Sequence, residues 1–528
     1  GNDMTNSWEV SLGDYLEDAV RARGDATFLE ILGKTYSYED FYDQVMRTAG
    51  MYLSLGIKHG DRVCLVLPNC PEVLFSWFGL SVIGAIVIPI NTAYKRDELA
   101  YIYNNSEAAA LVAHTVFMEA AGAAADLAPS ISKRICVGGA VEGWLEFQQA
   151  CDQSEKLDAR PIISPSDISA LVYTSGTTGS PKGVMITHAM YVAAGQGFAL
   201  WTQSTSKDRF FTCLPYFHAN TQYYSTMGAL AARATLVVVE RFSASRFWQQ
   251  VRDANATVVN FIGMMLTVLA KQPVSDDDSN TPARLFYGTP AFAPDILDGF
   301  AERFGAELII GFGMTETCFG TIERIGEKRR GFSSGNARRH PDPLFSNEIR
   351  AVDGNGEDVA AGTPGELIIR NPVVMPGYWA NEKGTAEALR DGWLYTGDMV
   401  SLDEDGHLYY IDRKKDVIRR RGENISSQEV EDVLKRHPKI LDSAVLAVPS
   451  DLGEDDVKAY VILVDDAHLE PIEIIDWCSE NLAEFKVPRY IEMRDTFPRT
   501  PSLRVQKGEL KKESSDLTKG CFDREAAA

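Results

Sequence analysis

The sequence predicts an α/β chain built on parallel sheets, with a small antiparallel unit late in the chain and an α+β segment at its end. Three observations carry that expectation. Short β-branched runs at 62–67, 85–90, 170–174 and 234–239 alternate with longer amphipathic stretches, the pattern of helices laid over parallel strands. Between 331 and 411 the pattern changes. Short strands at 346–352, 365–369 and 407–410 are separated there by Gly, Pro, Asn and Asp turns, which reads as a mostly antiparallel barrel. From 412 onward the alternation returns, with a helix at 427–436 and strands at 440–448 and 457–464.

The 528 residues leave room for about three or four domain-sized units. A 45% hydrophobic and 24% charged composition is ordinary for a globular chain. The formal net charge of −22 argues against a nucleic-acid partner, which would need a basic face, but permits a local basic cleft for phosphates. The eight cysteines, at 64, 70, 136, 151, 213, 318, 478 and 521, include no CxxC pair. That spacing suits neither zinc nor a disulfide framework and predicts reduced thiols. The longest uncharged stretch, 73–94, is broken by Gly79, Gly84, Pro89 and Asn91. It predicts a buried helix followed by a strand at 86–90 and no membrane span. No stretch reads as a signal peptide, so the expected location is cytoplasmic. The aspartates at 276–278 read as a solvated turn, and 120–125 as an alanine-rich helix.

Chemistry enters with Tyr173-Thr174-Ser175-Gly176-Thr177-Thr178-Gly179-Ser180-Pro181-Lys182-Gly183-Val184. Hydroxyls, glycines and a lysine between two apolar strands can turn N–H and O–H groups onto phosphate oxygens. It is not a Walker loop, because Lys182 follows Pro181 and no Gly-Lys-Ser/Thr opens a helix. Four further motifs follow in order: Tyr287-Gly288-Thr289-Pro290; Gly311-Phe312-Gly313-Met314-Thr315-Glu316-Thr317; Gly392-Trp393-Leu394-Tyr395-Thr396-Gly397-Asp398; and the basic run from Asp412 through Gly422 to Ile425. Taken singly, each has a plain alternative as a turn, a helix start or a solvated charge run.

In this order the motifs resemble those of the adenylate-forming superfamily (acyl-CoA ligases, adenylation domains and luciferases), and they span roughly residues 10–515. Leu214-Pro215-Tyr216-Phe217-His218 and Arg420-Arg421-Gly422-Glu423-Asn424-Ile425-Ser426 resemble the acyl-CoA ligases of the carnitine/crotonobetaine type. The resemblance implies a large N-terminal domain, 1–411, of two α/β lobes plus a small β-barrel at about 331–411, and a mobile α+β lid, 412–528. It implies that Thr174, Ser175, Gly176, Thr177, Thr178, Gly179 and Lys182 cradle phosphates. Gly288, Thr289 and Pro290 would border the adenine, and Phe312 would lie against it. Thr315 would contact the α-phosphate, Glu316 would hold Mg²⁺, Asp398 would accept both ribose hydroxyls, and Arg413 would approach ribose and phosphate. Lys415 takes the hinge position, and the loop at Gly422 would line a channel for the thiol of coenzyme A. His218 would guard the acyl pocket, with Tyr223, Asn260, Met264 and Met265 as neighbours; Arg419, Arg420 and Arg421 would meet CoA phosphates or form a solvated face. The implied ligands are a carboxylic acid or its acyl-adenylate, ATP or AMP, Mg²⁺ and CoA.

One motif departs from the pattern. In Thr500-Pro501-Ser502-Leu503-Arg504-Val505-Gln506-Lys507, Leu503 stands where the superfamily has glycine, and Arg504 where it has the lysine that helps a carboxylate attack the α-phosphate. Arginine is a planar fork of dispersed charge, whereas a lysine ammonium is a compact point. Leucine adds a side chain where glycine permits positive φ. Losing one well-aimed transition-state donor costs about 10²–10³ in rate, and Lys507 could substitute only by shifting the whole loop. The expected function is an acyl-CoA ligase impaired in adenylation, acting mainly as the thioesterifying half on acyl-AMP supplied by a separate adenylating enzyme. The alternatives are a complete two-step ligase in which Arg504 replaces the lysine, and a non-catalytic adenylate-binding protein.

Overall fold

The computed structural model describes residues 7–174, 180–289, 294–421, 423–451, 453–500 and 503–526, with the side chain of Thr289 outside that description. A seven-stranded sheet runs in the order Leu145–Glu146, Lys133–Val137, Ala110–His114, Arg62–Val66, Ile86–Pro89, Ile168–Thr174, Lys182–Thr187. Every pair is parallel except the last, where Thr174 sits opposite Lys182 in an antiparallel register. A nine-stranded sheet runs Asn336–Ala337, Thr317–Ile322, Glu307–Met314, Leu285–Thr289, Val258–Ile262, Arg209–Thr212, Thr235–Val238, Thr27–Ile31, Lys34–Ser37. It is parallel at its centre and antiparallel at both edges.

The helices between these sheets are apolar because both of their faces are covered. Pro71–Val82 begins on proline, which loses no helical hydrogen bond at that position, and is buried along nearly its whole length. His188–Trp201 is capped by Thr187, whose hydroxyl accepts from Met190 N–H at 3.1 Å, and is also buried almost all round. Such helices belong between layers rather than on a surface. Phe78, Tyr191, Phe198 and Tyr287 fall in one continuous core.

The antiparallel unit is five-stranded, built from Glu348–Val352, Gly365–Arg370, Trp393–Leu402, Leu389–Arg390 and Leu408–Arg413 around Leu367, Ile369, Val400 and Leu408. The smaller C-terminal domain holds the hairpin Ile418–Arg420 and Glu423–Ile425, the helix Ser427–Lys435, and a sheet ordered Ile440–Pro449, Asp455–Leu463, Tyr490–Met493, Phe522–Asp523. The Ser426 hydroxyl caps that helix by accepting from Glu429 N–H at 3.1 Å. The C-terminal domain rests on the large one through Lys271, which donates to the His437 carbonyl, and through Arg436 to Asp295 at 3.1 Å.

The aspartate run forms the expected turn, exposed at Asp276 and Asp277, with its last residue drawn partly inward. Asp278 accepts from Arg303 Nε at 2.9 Å and from Ser275 N–H at 3.0 Å. Arg420 belongs to neither a solvated face nor a phosphate site. It is buried, hydrogen-bonds the Phe485 carbonyl at 2.9 Å and lies 3.4 Å from Asp456. All eight cysteines are unpaired, and among the described residues no helix is long and apolar enough to cross a membrane.

Candidate active site

The strands Glu307–Met314 and Thr317–Ile322 are joined by a two-residue turn, so Met314 pairs with Thr317 and Thr315 and Glu316 stand at its tip. The Thr315 carbonyl accepts from the Tyr223 hydroxyl at 2.8 Å, which ties the tip to the buried segment Thr221–Thr226. Glu316 accepts from the Tyr378 hydroxyl at 2.9 Å, and its carbonyl accepts from Met375 N–H at 2.9 Å. The turn is therefore held on three sides.

Tyr378 links two motifs that lie far apart in sequence. Its hydroxyl reaches Glu316, and the Lys182 ammonium stands 5.2 Å from the centre of its ring. The backbone beside it is locked to the strand after the phosphate loop, with Met185 N–H donating to the Gly377 carbonyl at 3.1 Å and Trp379 N–H to Gly183 at 2.8 Å. Sequence reasoning missed Tyr378. The signal that could have found it is an aromatic pair set in a Pro-Gly turn, Pro376-Gly377-Tyr378-Trp379.

Asp398 lies on Trp393–Leu402, directly across from Arg413 on Leu408–Arg413. Its carboxylate accepts from the Tyr410 hydroxyl at 2.8 Å. Glu366 steadies this turn by accepting from Gly397 N–H at 3.1 Å and from Lys414 at 3.3 Å. Phe312 lies nearly parallel to the Tyr410 ring, 6.2 Å between centres. Tyr410 is thus a second residue that the motifs did not reveal.

Arg504 completes the cluster. The residue is exposed by surface area, and the charge of Arg413, first, and then burial push its guanidinium pKa down, against Tyr410, Asp398 and Glu316. Among the described residues neither Arg413 nor Arg504 forms an ion pair within 4 Å. Two guanidinium groups within electrostatic reach of one another and without a direct acid partner suit an anion nearby. Burial raises the pKa of both Glu316 and Asp398; Tyr378 opposes it at Glu316, and Tyr410, Arg413 and Arg504 oppose it at Asp398. Carboxylates held in such a setting favour ligands that neutralise or hydrogen-bond them.

The loop around Arg504 turns on Leu503, whose φ of +63° lies in the left-handed region. Leu503 N–H donates to the Thr500 carbonyl at 2.9 Å, and Arg504 N–H to the Thr500 hydroxyl at 3.1 Å. Leucine therefore holds a conformation that glycine adopts without strain. Lys507 is committed elsewhere: it pairs with Glu431 at 2.7 Å and donates to the Ser427 hydroxyl at 2.8 Å.

His218 accepts from Asn220 N–H through Nδ1 at 3.1 Å, so the neutral ring carries its proton on Nε2, a buried atom with no partner among the described residues. Burial and then the charge of Arg504 lower its pKa to about 4. Asn260 is buried and donates to Asn220 and Ser225. Met265, by contrast, packs into the apolar core beside Cys213, away from these polar groups, while Met264 is half-buried. Lys415 lies in the turn at 414–416, where Asp416 N–H donates to the Arg413 carbonyl at 2.9 Å. Gly288 ends up beside Phe261 on the neighbouring strand. The expectations for Ser175, Gly176, Thr177, Thr178, Gly179, the Thr289 side chain, Pro290 and Gly422 lie outside the described residues. The structure thus links Lys182, Thr315, Glu316, Asp398, Arg413 and Arg504 into one cluster from five separate stretches of chain.

Comparison with known proteins places this geometry. The model of the AMP-binding enzyme family matches residues 16–379, and that of the AMP-binding enzyme C-terminal domain matches 429–504. The crotonobetaine/carnitine–CoA ligase of Salmonella typhimurium is 36% identical, with 97% of this chain and 99% of that protein covered. The ligase of the same name from Escherichia coli O9:H4 is 38% identical, covering 90% and 93%. Among solved structures, an anthranilate CoA ligase, AuaEII, bound to anthranoyl-AMP matches with a TM-score of 0.88 at 26% identity, covering 96% of this chain and 97% of that one. ATP-bound MatB from Rhodopseudomonas palustris shares the fold, with a TM-score of 0.86 at 24% identity over 97% of this chain and 100% of that one.

Proposed function

The chain belongs to the AMP-binding enzyme family and is an acyl-CoA ligase, and from that premise we propose that its two half-reactions are unequal. In this reading thioester formation from acyl-AMP is intact and adenylation is slow. The observation that carries it is the pair in the lid loop, a Leu503 at positive φ followed by Arg504 within electrostatic reach of Arg413. Two such guanidinium groups hold an anion well. They spread the charge that a single ammonium would aim at one oxygen.

The residues take these roles. Lys182 and the loop 174–183 hold phosphate oxygens, Thr315 contacts the α-phosphate, Phe312 and Gly288 border the adenine, and Asp398 accepts the ribose hydroxyls while Arg413 faces the phosphate. Glu316 suits Mg²⁺: it is a buried carboxylate held in place by the Tyr378 hydroxyl, and would act as a carboxylate ligand beside phosphates. Bound there, the ion would supply charge neutralisation. His218, neutral and with its Nε2–H unpartnered, borders the acyl group. The lid, 412–528, turns about Lys415 and brings the Gly422 loop to the thiol of CoA, so that AMP leaves as the thioester forms. The acid is a small carboxylic acid of the kind that names the crotonobetaine/carnitine ligases, and a separate adenylating enzyme would feed acyl-AMP to this one.

A second reading, a complete two-step ligase, is favoured by one observation: Arg504 sits within electrostatic reach of Asp398, Glu316 and His218. One experiment separates the two. Acid-dependent exchange of pyrophosphate into ATP is measured beside acyl-CoA formation from preformed acyl-AMP, for the parent and for Leu503→Gly with Arg504→Lys. The expected result is exchange slower in the parent by about 10²–10³, with equal thioester formation. Rapid exchange by the parent with the matched acid would establish the two-step ligase.

A further inference from the structure

Against the hairpin that bears Thr315 and Glu316 lies a charge that none of the motifs above accounts for. Arg338 is 1% exposed and heads the chain's largest fully buried side chains. Its Nε donates to the Thr321 carbonyl at 2.8 Å, one terminal nitrogen donates to the Tyr224 hydroxyl and the Cys318 carbonyl, and the other to the Tyr287 hydroxyl. The guanidinium carbon lies 4.7, 5.2 and 5.7 Å from the ring centres of Trp201, Tyr224 and Tyr287. Among the described residues no carboxylate pairs with it. A buried cation without an acid is costly, and only dense hydrogen bonding with aromatic faces around it makes the arrangement tolerable.

Its contacts point to what that cost secures. Cys318 and Thr321 belong to one strand of the hairpin that presents Thr315 and Glu316, and Tyr287 precedes Gly288 on the next strand but one. The other strand contributes Gly311 and Gly313. A Cβ on Gly313 would stand 2.6 Å from the Tyr224 hydroxyl and 3.0 Å from a terminal nitrogen of Arg338, and a Cβ on Gly311 would clash with the Thr321 carbonyl and stand 3.0 Å from the other nitrogen. Gly313 therefore makes room for the guanidinium and its phenol, and Gly311 for the Thr321 carbonyl that the guanidinium binds. Tyr224 also donates to the Cys318 carbonyl at 3.1 Å, and its neighbour Tyr223 holds the Thr315 carbonyl.

We propose that Arg338 is a positioning residue for the nucleotide: it fixes the hairpin bearing Thr315 and Glu316 and the strand bearing Tyr287, and thereby sets the affinity for AMP. The inference rests on the reading of Thr315 and Glu316 as phosphate- and metal-facing, and it is independent of whether adenylation is slow.

The test is calorimetric titration of full-length protein with AMP, with and without Mg²⁺, alongside thermal melting. Arg338→Met is expected to weaken AMP binding by about tenfold, and Arg338→Lys, which keeps the charge but not the fork, to recover part of that loss. A purely structural role would lower the melting temperature and leave the dissociation constant of the folded protein unchanged. If Arg338→Met does not fold, Tyr224→Phe combined with Tyr287→Phe removes two of the guanidinium's acceptors in a gentler way and decides the matter; a loss of about fivefold is expected. AMP affinity equal to the parent's in a folded Arg338→Met, or in the double variant, overturns the proposal. A parent that binds no AMP overturns the site reading and this inference together.

Discussion

The decisive residue-scale feature is a side chain in a backbone conformation that suits it poorly. Leu503 sits at φ +63° and is 37% exposed, so little buried apolar area offsets the left-handed geometry. Such a residue costs about 1–2 kcal/mol relative to its usual conformations. Leu503→Gly should therefore raise unfolding stability by about 1 kcal/mol, reduced somewhat by the greater freedom of glycine in the unfolded chain. Urea denaturation checks this, and a clear loss of stability would show that the leucine side chain holds the loop. Arg504 shows the other side of residue-scale reasoning. Its identity was legible as a departure, but its electrostatic reach to Arg413 and Asp398 was not, because Thr500 and Val505 do not reveal which residues their loop approaches.

At the scale of elements, the turn at 414–416 connects Leu408–Arg413 to the hairpin of the smaller domain. Lys415 is exposed, and its φ is not positive. Proline there freezes φ near −65° and restricts Lys414 before it. Lys415→Pro should leave acyl-AMP binding largely intact and slow CoA capture by about tenfold or more, since one lid orientation would be favoured over the exchange of two. Single-turnover thioester formation from acyl-AMP is the measurement, and a parent-like rate would remove the hinge role. The elements themselves were largely readable: the strands at 62–66, 86–89 and 168–174 and the helix at 427–435 lie where periodicity puts them. The antiparallel pairing of Ile168–Thr174 with Lys182–Thr187 was less so, because a fully buried strand reads the same in either direction.

Across the whole molecule, the two domains share a buried polar junction. Asp412 accepts from Ser427 N–H at 2.8 Å and from the Ser427 hydroxyl at 2.6 Å, near Lys507, Glu431 and Asp416. Burial raises its carboxyl to about 6 despite Lys507 and Ser427. In the unfolded chain the group titrates near ~3.9, so between about pH 4 and pH 6 the folded state binds more protons, and this group's contribution to stability falls as pH rises through that window. The effect is at most about 2–3 kcal/mol. Asp412→Asn mimics the protonated group, so its stability relative to the parent should improve from pH 4 to pH 7. A difference that does not change with pH would mean that Asp412 titrates normally.

The sequence by itself determined the family, the order of the nucleotide motifs and the altered loop at Leu503 and Arg504, because local chemistry is written residue by residue. Tertiary structure decided what those residues face. Tyr378 joins Lys182 to Glu316, and Tyr410 joins Phe312 to Asp398. Arg338 and the Tyr224 hydroxyl it binds take up the space left by Gly313. Lys507 turns inward to Glu431, and Arg420 to Asp456, away from the cluster. A charge has no visible partner in a linear string, since pairing depends on distances that only the packing of sheets and helices sets.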